Sequence, residues 1–173
     1  MKKEHSSIII RYLLLLVASF PNLFIFYFIF TPLTIYSVYF LLNIFFDVSI
    51  QANTIFIGDF AIEIIGACIA GSAYYLLLIL NLSTPGINLK TRFKTILFGF
   101  SSLLILNILR IFFLVSLLLI FPSAFDITHK IFWYFISIVF VVGIWFAVIK
   151  IFKVKQIPVY SDAKFLLKEI KKR

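Results

Sequence analysis

Three side chains capable of covalent catalysis lie in or next to long apolar segments of the chain. Cys68 stands in "GACIAGS", Arg110 in "NILRIFFLVSLLL" and His129 in "THKIFW". A thiol attacks carbonyl carbons as its thiolate, which a nearby cation stabilises, and an imidazole can accept the thiol proton and return it to a leaving amine. A guanidinium can instead stabilise the oxyanion that forms during the attack. Together these residue types indicate a cysteine acyl-transfer site.

Arg110 is the least ordinary of the three, because an arginine in the middle of a spanning segment costs about 2.5–3.5 kcal/mol on insertion scales. Intramembrane charges usually face the interior of a bundle, where they have a function or a partner. The structural alternative is an ion pair with Glu63 or Asp126. Asn107 precedes Arg110 by three residues and shares its helical face, so it is expected to hold the guanidinium through a hydrogen bond or to bridge two helices.

Cys68 and His129, each taken alone, have simpler interpretations. Cys68 lies among glycine, alanine and serine, where a small side chain lets helices approach closely. His129 precedes an apolar run and is typical of an interfacial residue. The catalytic hypothesis therefore depends on all three residues meeting in the folded bundle.

The composition predicts an all-α polytopic membrane protein. The 173 residues are 63% hydrophobic and 19% aromatic, with a mean hydropathy of +1.13. Apolar runs long enough for a hydrocarbon layer of about 30 Å suggest about five transmembrane helices. The predicted spans are Ile8–Phe30, Pro32–Phe46, Ile64–Leu80, Ile96–Phe121 and Ile131–Ile149.

A small β-hairpin outside the membrane is expected before the third helix, because "TIFIGDFAI" flanks Gly58-Asp59 with β-branched and aromatic residues. Residues 1–149 are predicted to form the bundle and residues 150–173 a basic cytoplasmic tail, with a helix lying along the anionic leaflet. The lysines and arginine of "NLSTPGINLKTRFK" also favour the cytoplasm. Five crossings with the tail inside leave the N-terminus outside, although Lys2, Lys3 and Arg11 favour the cytoplasmic side.

With this topology the three candidate residues converge near the outer face of a cell membrane. At 1.5 Å per residue, Arg110 lies roughly 21 Å from the inner end of its helix. Cys68 lies roughly 6 Å below the outer surface by the same rule, and His129 lies at the outer start of the last helix. Bundle packing, rather than local sequence spacing, would have to bring them together.

The motifs "ACIAG" at 67–71, "NILRI" at 107–111 and "THKIFW" at 128–133, in this order, resemble those of the exosortases and archaeosortases, in particular the small archaeal pacearchaeosortases. The likeness covers about residues 55–145. It implies a multi-pass membrane cysteine transpeptidase or protease that cleaves exported proteins at a C-terminal sorting signal, made of a short motif, a transmembrane helix and a basic cluster. By this resemblance Cys68 is the nucleophile, Arg110 its cationic partner and His129 the general base. The acceptor is water or a membrane lipid.

Other classes of function find less support in the sequence. The rival hypothesis is a noncatalytic membrane module, such as a transporter subunit or assembly factor, with a structural Arg110 ion pair. The sequence has no H-E-x-x-H pattern of a metalloprotease and no G-x-S-x-G pattern of a serine protease. The cysteine acyl-transfer reaction needs no cofactor. The net charge of +9 lies in loops and the tail rather than among exposed aromatic residues, so no nucleic-acid partner is expected.

Overall fold

The computed structural model describes residues 2–170, with side-chain surroundings for residues 5–168, and it is mostly helical with one small sheet. The helices Phe24–Asn43, Leu89–Ile120 and Pro122–Phe152 are long and apolar enough to cross a membrane, whereas His5–Ser19 and Gly66–Leu82 are shorter apolar segments. The expected membrane protein is therefore supported, but five spans are not confirmed. The elements are α1 (Lys2–Ser19), α2 (Phe24–Asn43), β1 (Val48–Gln51), β2 (Thr54–Ile57), β3 (Phe60–Glu63), α3 (Gly66–Ile69), α4 (Gly71–Leu82), α5 (Leu89–Ile120), α6 (Pro122–Ile131), a π-helical turn (Phe132–Ile136), α7 (Ser137–Phe152) and α8 (Tyr160–Ile170).

The first break in the helices falls at residues 20–23 rather than before Pro32, so the predicted span Ile8–Phe30 is wrong. Asn22 and Leu23 adopt left-handed backbone angles, with φ of 48° and 61°. A proline followed by asparagine favours such a turn, because asparagine tolerates the left-handed region. Pro32 lies inside α2, where a membrane helix tolerates a proline when its neighbours satisfy the freed carbonyl.

Helix α5 lies at the centre of the bundle, and α2 runs in the same direction beside it. The ring of Phe30 lies 5.7 Å from that of Phe100, and the ring of Phe45 lies 5.5 Å from that of Phe112. Tyr74 of α4 is fully buried and stacks on Phe30 at 3.6 Å. These aromatic contacts form the middle of the core.

Helices α4 and α7 run against α5. Asn81, near the end of α4, donates to the Thr95 hydroxyl near the start of α5 at 2.6 Å. At the same end the ring of Phe152, the last residue of α7, lies 5.8 Å from that of Phe98. The connection between α4 and α5 therefore lies beside the end of α7, and we call this the basic end because it carries the basic loop and the tail.

The predicted hairpin is a three-stranded antiparallel sheet in the order β1-β2-β3. Val48 pairs with Ile57, and Thr54 pairs with Glu63. Gly58 has a φ of 54° in the expected turn between β2 and β3. The additional strand β1 buries Val48 under the bundle, a tertiary contact that the local turn pattern does not reveal. The sheet joins α2 to α3 at the end of the bundle opposite the basic end.

The N-terminal helix and the C-terminal tail meet at the basic end, not at opposite ends as five crossings would require. Arg11 of α1 donates to the Leu82 carbonyl at 2.8 Å and forms an ion pair with Asp162 of α8 at 2.8 Å. The carbonyls at the C-terminus of α4 thus gain a cationic donor. The tail therefore packs on the bundle instead of lying free of it.

Candidate functional site

Cys68 lies at a break between two helices, immediately after the sheet. Helix α3 ends at Ile69, and Ala70 has φ 61° and ψ 38°, which is unusual for a residue with a side chain. The expected continuous helix from Ile64 to Leu80 is therefore wrong. Gly71 begins α4 in close contact with Tyr27, where an added Cβ would come within 2.8 Å of the ring. This packing leaves no room for a side chain at position 71. Cys68, two residues before the break, is half-buried.

Asn107 connects the central helix to the break. Its side chain is 2% exposed, and its Nδ2 donates to the Cys68 carbonyl at 2.7 Å. The expected hydrogen bond from Asn107 to Arg110 is not formed; the amide bridges two helices instead. Because a carbonyl at a helix break needs a donor from outside the helix, the amide fixes the backbone of Cys68 against α5.

Arg110 is held by α7, which packs against α5. Its Nη1 donates to the Ser137 hydroxyl at 3.0 Å, and Ser137 in turn donates to the Phe132 carbonyl at 2.8 Å. The guanidinium lies within electrostatic range of the Cys68 thiol. Its Nε is buried without a hydrogen-bond partner in the described part of the chain. Ser137 thus holds one side of the guanidinium, while the buried Nε keeps an unused hydrogen-bond donor.

No carboxylate neutralises Arg110 among the described residues. Glu63 is exposed on β3, and Asp126 pairs with Lys130 at 2.8 Å. The ion pairs with Glu63 or Asp126 that the noncatalytic hypothesis invoked are not formed in this arrangement. Among the described residues, the one hydrogen-bond partner of this cation is therefore the neutral hydroxyl of Ser137.

Neither the π-helical turn nor Ser137, which directly follows it, was predicted from the sequence. A π-turn is rare and often lies at a functional site, because it rotates the side chains that follow it. The turn has no signature in the apolar pattern. Ser137 did have a signal, since it is the single serine or threonine in the apolar run 131–149.

His129 lies about two turns before Ser137 in the same continuous helix, with aromatic rings as its neighbours. Its ring lies between those of Phe125, at 5.4 Å, and Trp133, at 5.9 Å. Eight residues separate His129 from Ser137, which corresponds to roughly 12 Å along a helix axis. Within residues 5–168 no hydrogen bond joins His129 to Cys68 or Arg110. The structure thus joins Asn107 to Cys68 and places Arg110 one helical turn from Asn107, and the catalytic roles of Cys68, Arg110 and His129 stay predictions.

Comparison of the chain with protein-family models, with characterised proteins and with solved structures finds no match.

Proposed function

We propose that this protein is a membrane-embedded cysteine transpeptidase or protease that cleaves C-terminal sorting signals of exported proteins. The observation that carries the proposal is a guanidinium, Arg110, that no carboxylate in residues 5–168 neutralises and that lies one helical turn from Asn107, the residue whose side chain donates to the carbonyl of the half-buried Cys68. A permanent charge inside an apolar bundle is costly, and proximity to a thiol gives that charge a chemical use.

In the proposed reaction, the Cys68 thiolate attacks the carbonyl carbon of the scissile peptide bond. The resulting oxyanion accepts hydrogen bonds from the unoccupied Nε side of Arg110. The C–N bond then breaks, and the leaving amine takes the proton that His129 received from the thiol. The acyl group remains on the sulfur until water, or a lipid amine or hydroxyl, attacks the thioester and regenerates the thiol.

For this role His129 must approach the thiol when substrate binds. The π-helical turn Phe132–Ile136 lies between His129 and Ser137, and catalytic hydrogen bonds are often long before substrate is present. Conversion of the π-helical turn to a regular α-helix would rotate His129 relative to Arg110. Arg110 therefore belongs to the site before substrate binds, and His129 joins the site in the complex with substrate.

We also place the basic end in the cytoplasm and the sheet outside the cell membrane. The exposed Lys90 and Lys94 lie in the basic loop region, whereas the sheet carries Asp59 and Glu63. Helices α2, α3–α4, α5 and α6–α7 alternate in direction, which makes four crossings. In a Cys68→Ser protein, an impermeant maleimide added outside intact cells should label Asp59→Cys and not Lys90→Cys; the reverse pattern would refute this orientation.

Access to the site is consistent with a peptide approaching from the side. Ile65, Gly66 and Ala67, which precede the thiol, are all exposed. A transmembrane helix of an exported protein could therefore lie against the bundle with its motif beside Cys68. Its basic cluster would then reach the cytoplasmic leaflet.

The function is tested with a peptidyl acyloxymethyl ketone, which reacts with catalytic cysteines more readily than with ordinary thiols. The proposal predicts modification of Cys68 in the reconstituted protein and its loss in both Arg110→Ala and His129→Ala. An Asp126→Asn variant, changed on the exposed face of α6, is the matched control and should react like wild type.

A noncatalytic membrane module remains the second candidate, and the distance of His129 from the other two residues favours it. Under this alternative Cys68 and Asn107 only join α3 to α5. The ketone would then leave Cys68 unmodified while a small maleimide still reacted, and Cys68→Ala would retain the function of the protein.

A further inference from the structure

The tail is fastened to the bundle by polar contacts at three points. The Val159 amide donates to the Ser83 carbonyl at 2.9 Å. Asp162 accepts from Arg11 at 2.8 Å and from the Tyr12 hydroxyl at 3.4 Å. The side chains of the ion pair are 8% and 4% exposed. Because buried charges require their partners, this pair holds α8 at a defined position beside α1.

Between α1 and α8 lies an apolar cleft with a cavity volume of about 520 Å³. This volume lies within the range of about 300–1,000 Å³ that ligand pockets occupy. Its walls include Ile9, Leu13 and Leu16 of α1 and Ala163 and Leu166 of α8. The Asp162 carboxylate at the cleft is already paired, so the cleft offers an occupant apolar contact and no free charge.

The outer face of α8 carries positive charge. By helical spacing, Lys164 and Lys168 lie opposite Asp162 and Leu166, and both lysines are exposed. Tyr160 lies under the Lys164 ammonium, 5.8 Å from ring centroid to Nζ. An amphipathic helix of this kind lies at a membrane surface with its lysines at the level of the headgroups. Further exposed lysines at the same end are Lys90, Lys94, Lys153 and Lys155.

We propose that the α1–α8 cleft binds one acyl chain of an anionic phospholipid, whose headgroup the lysines of α8 attract. The apolar walls select a hydrocarbon chain, and the surrounding charge selects an anionic headgroup over a zwitterionic one. Each lysine near an anionic surface contributes about 1 kcal/mol, which corresponds to about fivefold in affinity. The lipid would thus join the N-terminal helix to the tail, and this site is independent of the reaction at Cys68.

The test is a lipid titration of the detergent-solubilised full chain, followed by native mass spectrometry. The probes are dioleoyl phosphatidylglycerol and dioleoyl phosphatidylcholine. We expect one retained phosphatidylglycerol per chain at concentrations where phosphatidylcholine is not retained. Lys164→Gln and Lys168→Gln should each weaken retention of phosphatidylglycerol about fivefold and leave phosphatidylcholine unchanged.

Filling the cleft gives the second arm of the experiment. Leu13→Trp should abolish retention, whereas Leu14→Trp, exposed on α1 but outside the cleft, should not. If Leu13→Trp does not fold, Ala163→Leu, which fills the cleft from the α8 side, replaces it in the experiment. Equal retention of the two lipids, equal effects of the two tryptophans, or a dimer that forms without lipid would each overturn the proposal.

Discussion

Replacing Gly71 by alanine tests how the helix break after Cys68 is built. The new Cβ would lie 2.8 Å and 2.9 Å from the Cζ and Cε1 atoms of Tyr27. Since carbon atoms pack at about 3.5–4.0 Å, the ring or α4 must move by about 0.7 Å. Such overpacking costs about 1–3 kcal/mol, more than the roughly 0.5–1 kcal/mol that alanine gains over glycine in a helix. We expect Gly71→Ala to lower the free energy of unfolding by about 1–2 kcal/mol.

The matched control is Gly143→Ala in α7, because a Cβ at that position meets nothing within 4 Å. Gly143→Ala should raise stability by about 0.5–1 kcal/mol. Reversible unfolding by SDS in mixed micelles measures both variants. Tyr27→Leu should recover at least half of the loss in Gly71→Ala, because it removes the ring. The packing argument is refuted if Gly71→Ala behaves like Gly143→Ala, or if the Tyr27 substitution leaves its cost unchanged.

Two further changes address the contacts that join distant helices. Asn107→Leu removes the donor to the Cys68 carbonyl and should lower the free energy of unfolding by about 1–3 kcal/mol, as measured by the same unfolding in micelles; a loss below about 0.3 kcal/mol would mean that the hydrogen bond does not hold the break. Arg11→Met leaves the Asp162 carboxylate buried and should cost about 3 kcal/mol, while the double variant Arg11→Met/Asp162→Leu should be close to wild type. Equal stability of the single and double variants would show that the pair is solvated.

The apolar pattern predicted where the long helices lie, but not where a helix breaks or changes to a π-helical turn. The run around Arg110 became one long helix, as expected, because nothing in it competes with helical hydrogen bonding in an apolar medium. The break at Ala70 could not be predicted, since neither proline nor glycine occupies that position. The next residue, Gly71, packs closely against Tyr27, which is distant in sequence. Packing between helices, which local propensity does not encode, decided this part of the fold.

For the candidate site, the sequence singled out the residues but not their contacts. Asn107 donates to the Cys68 carbonyl, and Arg110 lies one helical turn after Asn107 on α5. The partner of Arg110 was missed, because Ser137 faces it only after the π-helical turn has shifted the register of the helix. His129 was expected at the start of the last helix, but that helix begins at Pro122, so His129 lies two turns inside it.

The rate of thiol labelling tests whether Arg110 activates the Cys68 thiol. The protein is reconstituted in liposomes, an impermeant maleimide is added from the side of the sheet, and the rate is followed from pH 5 to pH 9 for wild type, Arg110→Ala and His129→Ala. At pH 7 we expect Arg110→Ala to label at least about tenfold more slowly than wild type. His129→Ala should label at the wild-type rate, because no hydrogen bond joins His129 to the resting thiol. Equal rates for wild type and Arg110→Ala across the pH range would contradict activation of the thiol by Arg110.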